Sequence, residues 1–271
     1  MAPLEISVAH GTSVAAHVPS TPRTLHRLTA AARTLADCAL AVLVAPACAV
    51  CAGALEQPTR GPVCEACWRA VSPISGPVCD SCGDPLPGRA PAPRDTIFCV
   101  RCCQAPGPIS LGRALGAYEG ALRSIVHALK YDGRRSLAPR LALLLGRCAP
   151  EVLTGADIVV PVPLHRARER ARGFNQADAI ARHLPLPIAR ALKRVRRSPS
   201  QTGLLAAQRQ ANVRGAFALR RRGAVQGAVV VLVDDVSTTG ATLEACARVL
   251  IDGGAREVRA LTVARVVSRS R

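Results

Sequence analysis

From residue 109 onward, short apolar runs alternate with stretches in which apolar residues return every three or four positions. Residues 111–118 read as a strand. Residues 121–130 place Leu122, Ile125, Val126 and Leu129 on one helical face, and 137–145 form a second helix. A short buried strand at 157–160 runs into Pro161-Val162-Pro163, then a basic loop, then a helix over about 175–184. Residues 195–215 are polar and basic with a weak helical middle. Residues 228–233 are a continuous apolar run of strand type, followed by Asp234-Asp235, a Ser-Thr-Thr-Gly loop and a helix ending near Gly253-Gly254. Residues 257–264 close as another strand. Strands alternating with helices at this spacing predict an α/β fold, a parallel sheet flanked by helices.

The N-terminal part follows other rules. Residues 1–24 mix Ser, Thr, Pro and His without periodicity and predict a loose tail. Residues 25–44 predict an alanine-rich helix that Pro46 ends. Its most apolar stretch, 39–44, is far too short to span a bilayer, so no membrane insertion is expected. A Gly- and Pro-rich cysteine region then runs to about Pro108. It cannot build a core of its own and needs a metal or a partner. Three segments follow: a tail and short helix (1–45), a small cysteine-rich module (46–107) and an α/β domain (108–271). The last two are expected to be separate folding units.

Eight of the twelve cysteines form four Cys-x-x-Cys pairs: Cys48-Cys51, Cys64-Cys67, Cys79-Cys82 and Cys99-Cys102. Zinc takes four thiolates in a tetrahedron, and each Cys-x-x-Cys turn delivers two. Paired in chain order, they make two structural Zn²⁺ sites, Cys48/Cys51/Cys64/Cys67 and Cys79/Cys82/Cys99/Cys102, a double zinc ribbon. A cross-braced pairing is less economical, and either Cys102 or its neighbour Cys103 can serve as the last ligand. Reduced thiolate knuckles point to a cytoplasmic protein.

Charge sharpens the picture. Residues 106–271 carry 28 basic and 11 acidic side chains, whereas residues 1–105 carry 8 and 7, so the basic character belongs to the α/β domain. Such a surface expects nucleic acid, phosphorylated small molecules or anionic lipid. Aromatics are 2% of the chain, so any grip on a single strand is electrostatic rather than by base stacking.

The chemistry concentrates in residues 229–242, Val-Val-Val-Leu-Val-Asp-Asp-Val-Ser-Thr-Thr-Gly-Ala-Thr. A buried strand ends in two carboxylates, and a loop of small residues then opens a helix. Backbone N–H groups and the hydroxyls of Ser237, Thr238, Thr239 and Thr242 make a phosphate cradle there. Asp234 and Asp235 suit ribose hydroxyls and, through them, Mg²⁺. The loop lacks the Gly-Lys-Ser/Thr ending of a Walker motif.

This run resembles the phosphoribosyl pyrophosphate (PRPP) signature of type I phosphoribosyltransferases. With Leu129-Lys130-Tyr131, Val160-Pro161-Val162-Pro163-Leu164, Arg172-Gly173-Phe174-Asn175-Gln176, Gln201-Thr202-Gly203-Leu204, the run from Asn212 through Phe217 and the cysteine pairs, the chain resembles the competence protein F (ComF) family. The resemblance implies a double zinc ribbon before a type I phosphoribosyltransferase-like domain. It implies that Asp234 and Asp235 hold the ribose, that Ser237, Thr238, Thr239, Gly240, Ala241 and Thr242 hold the 5′-phosphate, and that Pro163, Leu164, His165 and Arg166 form the pyrophosphate loop. Arg166, Arg168, Arg170 and Arg172 alternate, so an extended chain would project them along one side. Thr238 stands where purine-salvage enzymes place a basic Asp, which disfavours a purine acceptor. The implied function is a PRPP- and Mg²⁺-binding role in natural competence, with single-stranded DNA and a DNA-uptake helicase as partners. The alternative is an active phosphoribosyltransferase of nucleotide metabolism with no part in DNA uptake.

Overall fold

A computed structural model describes residues 23–86, 97–196 and 215–267, with side chains from residue 32 onward. The expected tail before residue 23 and the motif residues 201–204 and 212–214 lie outside these residues. Helix α1 (Arg23–Leu43) leads into the cysteine region, which holds two five-residue helices, α2 (Glu65–Arg69) and α3 (Val100–Gln104). Among the described residues no helix is long and apolar enough to cross a membrane.

The α/β part follows as β1 (Leu111–Ala117), α4 (Gly120–Tyr131), α5 (Ala138–Cys148), α6 (Pro150–Leu153), β2 (Ile158–Pro161), α7 (Arg166–Arg172) and α8 (Gln176–Ala181). A hairpin β3 (Leu192–Arg194) and β4 (Phe217–Leu219) comes next, then β5 (Val229–Ser237), α9 (Ala241–Asp252) and β6 (Glu257–Arg265). The main sheet has the order β1-β6-β5-β2, every pair parallel, as the alternation of strands and helices predicts. Along β5, Val231 and Val233 enter the core on one face, while Val230 and Leu232 enter the core on the other. A strand covered on both faces needs an unbroken apolar run, and residues 229–233 supply it.

Three features differ from the expectation. The basic stretch after Pro163 is not extended but helical, because Arg, Ala and Glu are strong helix formers between two local stop signals. His165 Nδ1 accepts the Ala167 N–H at 3.2 Å as an N-cap, and Gly173 (φ 76°) ends α7 in the left-handed region. Second, the β3–β4 hairpin was not foreseen, because two three-residue strands separated by a long basic connection leave almost no period-2 signal. Third, the cysteine module does not stand apart from the α/β domain but packs into its core. Cys48, Leu55, Val63, Cys67 and Trp68 belong to the same apolar cluster as Leu141 and Leu145 of α5 and Leu115 of β1. Arg140 of α5 stacks on the Trp68 ring at 4.7 Å and pairs with Glu65 at 2.7 Å.

Candidate functional site

The eight cysteines gather into two clusters, Cys48/Cys51/Cys64/Cys67 and Cys79/Cys82/Cys99/Cys102, with all four sulfurs of each within 4.8 Å of one another. Pairing is therefore in chain order rather than cross-braced. Sulfurs bound about 2.3 Å from one zinc in a tetrahedron stand about 3.8 Å apart. The Cys48–Cys67, Cys51–Cys64 and Cys82–Cys99 separations are 3.9, 3.8 and 3.7 Å. The donor sets fit two structural Zn²⁺ ions, each closed with four thiolates and without an open position for chemistry. Cys102 lies buried in the second cluster with Cys79, whereas Cys103 is exposed and turned toward the Phe98 carbonyl.

At the carboxyl end of β5 the chain forms a cavity of about 360 Å³. Asp234 and Asp235 open it, and the loop from Ser237 to Thr242 closes it at the start of α9. Gly240 (φ 82°) holds the left-handed N-cap position that lets the loop turn into the helix, and the Thr239 hydroxyl accepts the Ala241 N–H at 3.4 Å. The first-turn N–H groups of α9 and the loop hydroxyls thus collect at one spot, which favours an anion.

The two carboxylates are not equivalent. Lys130, from α4, pairs with Asp235 Oδ1 at 2.8 Å, both side chains being largely buried. Asp234 turns back on the main chain, its Oδ1 accepting the Asp235 N–H at 2.8 Å. Its enclosed position, and then the adjacent Asp235 charge, push its carboxyl up to about 7, against the pull of that N–H, Lys130 and Arg194.

Across the cavity stand Pro163, Leu164, Arg168, Arg172 and Arg194. The helical form of α7 decides which arginines belong. Residues four apart share a face, so Arg168 and Arg172 point inward while Arg166 and Arg170 are exposed. His165 spends its ring on capping α7. Of the four expected pyrophosphate-loop residues, Pro163 and Leu164 line the cavity, and His165 and Arg166 do not. Arg172 is held by Gln176 Oε1 at 3.0 Å and lies over the Tyr131 ring at 5.2 Å. Asn175 caps α8 through the Ala177 N–H and donates its amide to the Val162 carbonyl at 3.0 Å, fixing the Pro-Val-Pro turn. The motif residues 172–176 therefore position one arginine and one loop.

Sequence reasoning gave Lys130 no role at the site and missed Arg194. Lys130 was visible within the motif Leu129-Lys130-Tyr131 and as one of only two lysines in the chain. Arg194 had no signal, since the fold of β3 alone brings it to the cavity. Its guanidinium stacks on Phe217 at 5.2 Å, and its buried Nε has no hydrogen-bond partner among the described residues. Burial, followed by the nearby Arg168 charge, lowers its pKa below the usual arginine value. Three arginines and a lysine thus face two carboxylates and a hydroxyl-rich loop.

Residues 39–105 match the double zinc ribbon domain family and residues 170–270 the phosphoribosyl transferase domain family. The chain is 35% identical over 190 residues to the DNA utilization protein YhgH of Salmonella typhimurium, covering 65% of this chain and 82% of that one. It is 34% identical over 163 residues to competence protein F of Haemophilus influenzae, covering 56% and 71%. Among solved structures it is similar to the allosteric regulatory enzyme of purine biosynthesis, at 25% identity over 51% of this chain and 30% of that one, with a TM-score of 0.34.

Proposed function

The chain belongs to the competence protein F (ComF) family, and on that premise we propose that its cavity binds PRPP with Mg²⁺ and that the protein acts in DNA uptake. The observation that carries the ligand is the cavity itself, where four cations from three elements, α4, α7 and β3, face paired carboxylates beside a helix-opening loop. In this reading Asp234 and Asp235 accept from the ribose hydroxyls. Ser237, Thr238, Thr239, Gly240, Ala241 and Thr242 hold the 5′-phosphate, and Arg168, Arg172 and Arg194 take the pyrophosphate beside Pro163 and Leu164. Pyrophosphate departure builds positive charge on the sugar and negative charge on the leaving group, and in this reading the carboxylates stabilise the first and the arginines the second. Mg²⁺ bound with the ligand adds positive charge against the pyrophosphate. The names of the relatives support the role in DNA use, and the basic surface supports contact with single-stranded DNA in the cytoplasm.

Calorimetry with PRPP and Mg²⁺ tests the ligand. The wild-type protein is expected to bind, and Asp234→Asn with Asp235→Asn to bind at least about tenfold more weakly, given that a hydrogen bond to a charged group contributes about 1.5–3 kcal/mol. A double variant as tight as wild type removes the assigned role of the carboxylates.

A further inference from the structure

We infer that the second cysteine cluster is the outer support of the phosphate loop, with Arg101 as the positioning residue that joins them. The inference rests on the phosphate-binding reading of that loop and adds a residue and a module to it. Arg101 occupies an x position of the Cys99-Cys102 knuckle, and its Nη1 donates to the Thr239 carbonyl at 2.7 Å, across 138 residues of sequence. The same side chain interacts with the Cys82 and Cys102 sulfurs. One guanidinium therefore links the cluster's negative charge to the main chain of the cradle. A carbonyl that is pulled outward turns the peptide that follows it, so its N–H is presented to the opposite side, where the ligand cavity lies.

Arg265 makes a second link. Its side chain is 4% exposed, pairs with Asp84 at 2.5 Å and donates to the Ser237 hydroxyl at 3.3 Å. Asp84 belongs to the Cys79-Cys82 knuckle, whose Cys79 N–H bonds the Asp84 carbonyl. The knuckle in turn is pressed on the sheet. Gly112 N–H donates to the Asp80 carbonyl at 2.6 Å, and a Cβ at Gly112 would stand 2.6 Å from the Ser81 carbonyl oxygen. Ser237, Thr239, Gly240, Ala241 and Leu243 line both the ligand cavity and a second cavity of about 350 Å³ on the cysteine side. The loop is thus a thin partition, and it can be held from behind.

What places Arg101 is the cluster rather than apolar packing. In α3 only Cys102 is buried, while the neighbouring Phe98 and Val100 are 44% and 73% exposed. The first cluster differs. Its surroundings, Leu55, Val63 and Trp68, are anchored in the core against α5, away from the loop.

The test uses the full-length protein without ligand and then with PRPP and Mg²⁺. Arg101→Ala keeps all eight thiolates, so its zinc content is expected to stay at two per chain. Amide hydrogen exchange across residues 236–241 should quicken about tenfold, and PRPP affinity should fall about tenfold, with Arg101→Lys restoring most of both, since an ammonium also donates to a carbonyl. Cys99→Ser should lose one zinc and reproduce the change in the loop. Cys64→Ser should lose one zinc and, below its melting temperature, leave loop exchange as in wild type. Unchanged loop exchange in Arg101→Ala overturns the inference whether or not PRPP binds. A wild-type protein that fails to bind PRPP, with loop exchange still quickened in Arg101→Ala, overturns the ligand and leaves the support intact.

Discussion

Asp234 and Asp235 are adjacent in sequence and meet different surroundings. Lys130 neutralises Asp235, whereas Asp234 is enclosed beside a like charge and its carboxyl rises to about 7 from the ordinary 3.8. The native state therefore holds this proton more tightly than the unfolded chain does. Stability from this group is present below about pH 4 and is lost as the pH rises through 7. Asp234→Asn removes the ionising group, and its stabilising effect should be larger near pH 8 than near pH 5, by on the order of 3 kcal/mol. Thermal unfolding at the two pH values checks this, and a variant less stable than wild type at both contradicts the assignment. The same proton bears on ligand binding. If the carboxylate accepts from ribose hydroxyls, PRPP affinity should weaken as the pH falls below 7. A residue strained in the free protein and satisfied by its ligand is what a binding site retains at a cost to stability.

At the scale of elements, α7 decides more than any single residue. Seven residues that alternate Arg with other side chains present one row of arginines if extended, and two faces if helical. The His165 cap and Gly173 stop select the helix, so Arg168 and Arg172 serve the cavity and Arg170 faces solvent. Arg221 and Arg222 are also exposed, past the end of the hairpin that is opposite Arg194. Two arginine sets can therefore be separated by experiment. Replacing Arg168 and Arg172 with Gln should weaken PRPP binding by at least about tenfold. Replacing Arg170, Arg221 and Arg222 with Gln should leave PRPP binding alone. It should also reduce the log-log salt slope of single-stranded DNA binding by about two, at roughly 0.7 for each phosphate no longer neutralised. A slope unchanged in that triple variant means those arginines do not serve DNA. Arg194 has basic neighbours in sequence that suggest a surface role, but its place in the cavity assigns it to the first set.

For the whole molecule, the shared core changes what unfolding looks like. Trp68 is the only tryptophan of the chain and lies in the first ribbon, 7% exposed, inside the cluster that also holds α4, α5 and the sheet. Its fluorescence reports on the ribbon, while far-ultraviolet circular dichroism reports mainly on the helices and strands of the α/β part. The two signals should give one coincident transition in denaturant, and Trp68→Ala should lower that common midpoint by about 3–5 kcal/mol of stability. Two separate midpoints would falsify the single cooperative unit. The same packing sets the electrostatics of the molecule. The near-neutral ribbons lie along β1 at one edge of the sheet and against α5, and leave α7 and the β3–β4 hairpin of the basic α/β part uncovered.

Sequence alone determined the features that depend on local periodicity and local chemistry. Buried strands at β5 and β6, the helices α4, α5 and α9, the hydroxyl-rich loop from Ser237 to Thr242 and the eight cysteines of the two clusters were all legible, because each is specified by residues within about a dozen positions of one another. The inward face of α7, the hairpin and the approach of Lys130 and Arg194 to Asp234 and Asp235 were decided only by tertiary structure. Those contacts join residues far apart in the chain, and no local pattern encodes which of 36 basic side chains will meet a given carboxylate. The joining of the ribbons to the α/β core belongs to the same class. Trp68 and Val63 carry no periodic signal in a Gly- and Pro-rich stretch. Their burial exists because α5 offers an apolar face, and the cysteine clusters hold the chain in position to cover it.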